Sequence, residues 1–257
     1  MKNKYNEIYL LSKDFLLNNL PEGITENELN TYLVYHKNFN SLNDIFIRML
    51  VSLQNYQSMP NIIKFEKNFD KFKTILFDFN PVKVAEMYDF ETLYREFCNS
   101  FKIANPENKK NSWVKFTKGV ISGANYLSKF DSHTDFDRYV ESFSRDEDSL
   151  IELPKLIQKE IYGFGFALSC DFLKELGYTS YPKPDVHLME IFYKLNLSEY
   201  DQFESYKKII EMAKAVNKTP YEVDKLFWLI CSGKYYYHGI TNKPLKAELI
   251  EYLTLNI

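Results

Sequence analysis

The chain has 257 residues, 45% of them apolar and 26% charged, enough to bury a real core as one large domain or two lobes. A formal charge of −3 argues against a generally basic surface for a polyanion, although a site that grips phosphates through backbone N–H groups needs few Lys or Arg. Three scattered cysteines (Cys98, Cys170, Cys231) argue against a disulfide scaffold, zinc and an iron–sulfur cluster, and with no signal-like start or membrane-length apolar run the chain is expected in a reducing cytoplasm, with no membrane partner.

Apolar residues recur every three to four positions almost throughout, which predicts an all-α protein. Helices are expected over 5–19 and 26–36, separated by the Pro-Glu-Gly turn at 21–23. A third is expected over 41–58, with Ile45, Phe46, Met49, Leu50 and Leu53 on one face. Segment 61–77 reads as helix until Asn80-Pro81 breaks it, and two short helices follow near 81–86 and 89–98. Residues 108–129 give a long helix, and Asp135 is a candidate cap for 136–143. Ser149 with Glu152 fits a capping box before helix 150–160. Helix 166–176 ends at Gly177, and helices at 186–195 and 203–217 follow. Thr219-Pro220 opens 220–231, Gly233 stops it, and Pro244 opens the last helix. No strand and no internal repeat is read.

The informative stretch is 149–197. Between two helices it carries Ile161-Tyr162-Gly163-Phe164-Gly165. Two glycines let the backbone turn tightly and approach another molecule, and the first amides of helix 166–176 have no partner inside the helix. With the helix dipole they form a place for a phosphate. The same glycines also serve a plain tight turn between packed helices. Asp185 follows twenty residues after Gly165, in Pro182-Lys183-Pro184-Asp185-Val186-His187-Leu188, at the start of the next helix. An Asp there is an ordinary N-cap, and it is also a place where helix N–H groups can orient an ionised carboxylate.

This segment resembles the helix-hairpin-helix (HhH-GPD) base-excision glycosylases, the superfamily of endonuclease III and the adenine and alkyl-purine glycosylases. Its hairpin is similar to their L-x-G-V-G, and Lys-Pro-Asp-Val-His-Leu is similar to their V-D-x-H-V, with Pro184 in place of Val. Upstream, Ser52-Leu53-Gln54 matches a helix end written L-S-x-Q. Residues 111–127 resemble a helix beginning near N-x-K-A, and 220–236 resemble a closing helix. The resemblance spans roughly 40–235. It implies one two-lobed helical domain over 1–257 with an interlobe cleft, residues 41–145 forming a six-helix lobe and 1–40 joining 146–257 in the hairpin-containing lobe.

The resemblance also implies a chemistry. Such enzymes flip one nucleotide from double-stranded DNA, and a carboxylate faces the positive charge that develops on the sugar as the N-glycosidic bond stretches. That role falls to Asp185, with His187 structural. Gly163, Phe164, Gly165 and Phe166 would hold the DNA backbone, and Gln54 would fill the gap left by the flipped base. Tyr56 and Trp113 are candidates for the base pocket, whereas Trp228 lies on an apolar helix face. Members that also cut the strand place a Lys two residues after the second glycine. Ala167 stands there, so a monofunctional enzyme that leaves an abasic site is expected. No iron–sulfur cluster is expected, no metal is held by side chains, and a monovalent cation on the carbonyls of Gly163 and Gly165 is compatible with the family. Mispaired-adenine enzymes carry a Glu near the register of Met49, so the excised base is left open. The alternatives are a hairpin module that binds DNA without catalysis and an unrelated helical interaction protein. A monomer is expected.

Overall fold

The computed structural model describes residues 2–56 and 59–257. Helix accounts for 66% of the chain and strand for 2%. Among the described residues no helix is long and apolar enough to cross a membrane. By contacts the chain divides into two compact units, Met1–Lys37 with Gly177–Ile257, and Asn38–Leu176.

The first unit holds α1 (Lys2–Asn18), α2 (Glu26–Leu33), α12 (Val186–Lys194), α13 (Gln202–Ala215), α14 (Pro220–Ser232) and α15 (Lys246–Asn256). Ile8, Leu29, Ile191, Leu226 and Leu253 meet in its core. The start of α14 follows the predicted chemistry: Thr219 accepts the Glu222 amide at 3.1 Å with Pro220 in the first turn. The expectation of no strand is corrected by a short antiparallel pair, β1 (Lys234–Tyr235) with β2 (Ile240–Thr241), in register Lys234↔Thr241. Two-residue strands offer no alternation to read, and this pair depends on Gly233 in the left-handed region turning the chain back from α14.

The second unit holds α3 (Leu42–Gln54), α4 (Met59–Ile63), α5 (Phe69–Ile75), α6 (Pro81–Met87), α7 (Phe90–Phe101), α8 (Ser112–Leu127), α9 (His133–Glu141), α10 (Glu147–Glu160) and α11 (Phe166–Glu175). Of the helix expected over 41–58, α3 ends at Gln54, and Gln57 and Ser58 lie outside the described residues. The single helix expected over 61–77 is three short pieces, because Lys64 takes φ +50 and a 3-10 turn occupies Glu66–Asn68. Stacked rings fill the core here: Phe72 against Phe65 and Trp113 against Phe101. Two caps lie earlier than predicted. Ser132 in place of Asp135 caps α9, and Asp146 in place of Ser149 caps α10, its Oδ1 accepting the Ser149 amide at 2.8 Å. Residues 146–176, grouped by sequence with the chain termini, make their contacts in this unit, where α10 and α11 pack together and α11 packs on α3.

Candidate functional site

The hairpin joins α10 to α11. Ile161 leaves the helix in an extended conformation, and its carbonyl accepts the Phe164 amide at 3.1 Å. Gly163 sits at φ +89, which a side chain would resist, and a Cβ there would press on Leu53 at 3.2 Å. The turn is clamped to α8: the Tyr162 amide donates to Ser122 Oγ at 2.9 Å, and a Cβ on Gly119 would lie 2.9 Å from the Tyr162 carbonyl oxygen. Phe164 and Phe166 are buried, so of the four hairpin residues expected at DNA the two phenylalanines anchor the turn and the glycines are the part that a ligand can approach.

Gly165 is the N-cap of α11, with φ −96 and ψ 174, no side-chain cap and open space where a Cβ would go. Further along the helix the Ser169 amide donates to the Gly165 carbonyl at 2.9 Å. The N–H groups of Gly165, Ala167 and Leu168 take no acceptor from the described chain, as expected for an uncapped helix start. Ser169 Oγ also donates to the Gly165 carbonyl, at 3.1 Å. Of the two carbonyls expected for a monovalent cation, Gly165's is therefore engaged twice.

Asp185 is the N-cap of α12. Its Oδ1 accepts the amides of His187 at 2.9 Å and Leu188 at 3.1 Å, and its Oδ2 takes no hydrogen bond from the described chain. The residue is half-buried rather than sealed in the core. The loop ahead of it is held from the side. The Asp185 amide donates to the Lys183 carbonyl at 2.9 Å, the Lys183 amide donates to Asp224 Oδ2 at 2.7 Å, and the Tyr221 amide donates to the Thr179 carbonyl at 2.9 Å. Asp224 is 1% exposed, so a buried carboxylate on α14 fixes the strut that carries Asp185. Pro182 and Pro184 are both buried and stiffen the strut.

Charges surround this helix start. The Lys246 ammonium donates to Glu190, which holds the Glu190 carboxyl below its ordinary range and raises Lys246. Burial, and next to it the negative charge of Asp185, push the Cys231 thiol up to about 12. His187 Nδ1 is enclosed and without a hydrogen-bond partner.

The remaining expected residues separate. Gln54 is 3% exposed, and both ends of its amide are engaged: Oε1 accepts the Phe65 amide at 3.1 Å and Nε2 donates to Glu66 at 2.8 Å. Filling a gap in DNA would require it to give up both bonds. Trp113 is 6% exposed and stacked on Phe101 at 4.6 Å, a core position and not the wall of an open base pocket. Tyr56 is half-buried beneath the Lys115 ammonium, 5.4 Å from its ring centre. Sequence reading missed Asp224, whose partner lies 41 residues away, and the lysines of α8 beside the hairpin. Among the described residues no three His, Cys, Asp or Glu side chains gather as a metal site. Comparison with protein-family models, curated proteins and solved structures gave no match.

Proposed function

We propose that the chain is a monofunctional DNA glycosylase of the helix-hairpin-helix type, hydrolysing the N-glycosidic bond of a damaged or modified base flipped out of duplex DNA and leaving an abasic site. The observation that carries this reading is the state of Asp185: one carboxylate oxygen is fixed by two helix amides while the other is uncommitted at a partly open surface. A carboxylate oriented in that way opposes the positive charge on a sugar whose base is leaving, and no reorganisation is needed at the moment of reaction. The same oxygen can orient the attacking water. Removing a preorganised stabiliser of this kind costs about 10²–10³ in rate.

The open amides at Gly165, Ala167 and Leu168 support the second half of the reading, a hold on the phosphate backbone that is independent of base sequence. Ala167 offers no amine for a Schiff base, which supports hydrolysis without strand cleavage. Tyr56 is the base-stacking candidate left after Trp113 is assigned to the core. The finer fold expected from the resemblance, the two-lobed glycosylase architecture, belongs to this proposal, as do a monomeric state and a cytoplasmic site of action on chromosomal DNA.

A second reading, a DNA-binding module without catalysis, is favoured by one observation: Asp201 caps α13 with the same geometry as Asp185, one oxygen on the amides of Phe203 and Glu204. Capping alone is therefore not a sign of chemistry. The test is a panel of duplex oligonucleotides carrying alkylated, deaminated and oxidised bases, followed by alkaline cleavage at abasic sites. Cleavage at one lesion class, with no complex trapped by borohydride, is the expected result. Binding of every duplex without release from any would leave the module reading in its place.

A further inference from the structure

We infer that the exposed face of α8 beside the hairpin is a second phosphate-contact surface, carried by Lys115 and Lys118, and that it engages the backbone of the same duplex. This rests on the nucleic-acid reading above and extends it to residues outside the glycine turn.

The two lysines are three residues apart on one helix and so share a face. Each ammonium sits over aromatic rings in place of a carboxylate. Lys118 Nζ lies 5.3 Å from the centre of the Tyr162 ring and 5.7 Å from that of Phe90, and Lys115 Nζ lies 5.4 Å from that of Tyr56. Among the described residues neither forms an ion pair, whereas Lys129, farther along the same stretch, is bound to Glu160 at 2.7 Å. Glu91 and Glu107 line the groove next to Lys118 but stay outside pairing distance. Tyr162 is 47% exposed and belongs to the hairpin itself, so the seat of Lys118 is continuous with the phosphate turn.

The rings give this pattern a purpose. A free lysine loses rotamer freedom when it grips a phosphate. A lysine already resting on a ring has lost part of it, and the ammonium face away from the ring keeps its donors. With no ion pair formed by either lysine among the described residues, the contact forms without breaking one. Two cations outside any ion pair, on the helix that clamps the hairpin turn, are complementary to a repeating polyanion, and the rigid i, i+3 spacing on a helix suits a regular phosphate track better than a flexible acidic peptide.

The experiment measures the affinity of the full-length chain for duplex DNA as a function of salt. Each phosphate neutralised contributes about 0.9 to the slope of log affinity against log salt. Lys115→Gln and Lys118→Gln are each expected to lower that slope by about one and to weaken binding by about three- to ten-fold at moderate salt, equally for all sequences. Lys118→Arg, which keeps charge and ring stacking, should restore the slope, and Lys129→Gln should leave it alone. A steep wild-type slope that neither substitution changes overturns the α8 surface and leaves the hairpin reading standing. A wild-type chain that does not bind duplex at low salt overturns both. Displacement of the duplex by poly-glutamate at equal charge assigns the face to acidic protein and overturns the proposal as well.

Discussion

Two helix starts in this molecule treat their unsatisfied amides in opposite ways. At α12 the chain supplies its own anion: Asp185 places one oxygen on two N–H groups. At α11 it supplies nothing, because Gly165 has no side chain and three amides remain open. Most other starts in the chain follow the first pattern, with Ser41, Asp89, Asp146, Asp201 and Thr219 all capping through side-chain oxygens. α5 and α15 also start without a side-chain cap, but at α11 the cap position is a glycine with open space beside it. A glycine cap costs a few tenths of a kcal/mol of stability relative to an Asp cap, and the open amides are where the proposed phosphate would sit. Asp185 holds the complementary position, with a capped helix and a spare oxygen.

The largest break in this comparison comes from exchanging the two designs. Gly165→Asp puts a carboxylate where a phosphate is proposed to sit. The backbone there is already extended and the space is open, so the new side chain caps α11. Thermal unfolding should shift upward by the equivalent of about 0.3–1 kcal/mol, while duplex affinity falls about ten- to a hundred-fold. Gain of stability with affinity intact would remove the hairpin from the binding surface. Next in size, Asp224→Ala cuts the bond that steadies the loop before Asp185. Amide exchange across 179–188 should speed up and base release slow by about ten-fold, while Asp224→Asn, which can still accept the Lys183 amide, should behave nearly as wild type.

Gln54→Ala separates packing from DNA contact. If Gln54 is part of the fold, the loss leaves the Phe65 amide buried without an acceptor and costs about 1–3 kcal/mol, with duplex affinity unchanged. Affinity lost at constant stability would return Gln54 to the DNA. The smallest effect is alkaline. Cys231 and Tyr235 are both raised to about 12, each mainly by burial. Above the pKa values of the unfolded chain, near 8.5 for Cys and 10 for Tyr, the native state holds protons that the unfolded state has lost. Stability should therefore decline as pH rises from about 9 toward 12. A flat profile over that window would show both groups more open than their surroundings indicate.

What could be read in the sequence was mostly local. Thr219-Pro220 announces α14 because cap and first turn are adjacent in the chain, and the two glycines of the hairpin and the Asp before α12 are short-range signals of the same kind. The losses are non-local. Nothing in Ser52-Leu53-Gln54 tells that Gln54 will turn inward to Phe65 and Glu66, since those partners are brought close only by the break at Lys64, where a lysine adopts a left-handed backbone that its sequence does not advertise. Trp113 looked like a stacking residue for a ligand because aromatic side chains serve both uses, and only the stack on Phe101 decides between them. Asp224 touches the loop and Lys118 the hairpin, neither of which is near them in the chain.

The most direct test of the central proposal compares two aspartates in the same capping geometry. Asp185→Asn and Asp201→Asn both keep an oxygen for the helix amides and remove a charge, so both should fold with nearly wild-type stability. Single-turnover base release, measured at saturating enzyme on the duplex that the wild type cleaves, should fall about 10²–10³-fold for Asp185→Asn with duplex affinity retained, and should not change for Asp201→Asn. Equal release by the two variants would contradict the assignment of Asp185 as the carboxylate that faces the sugar.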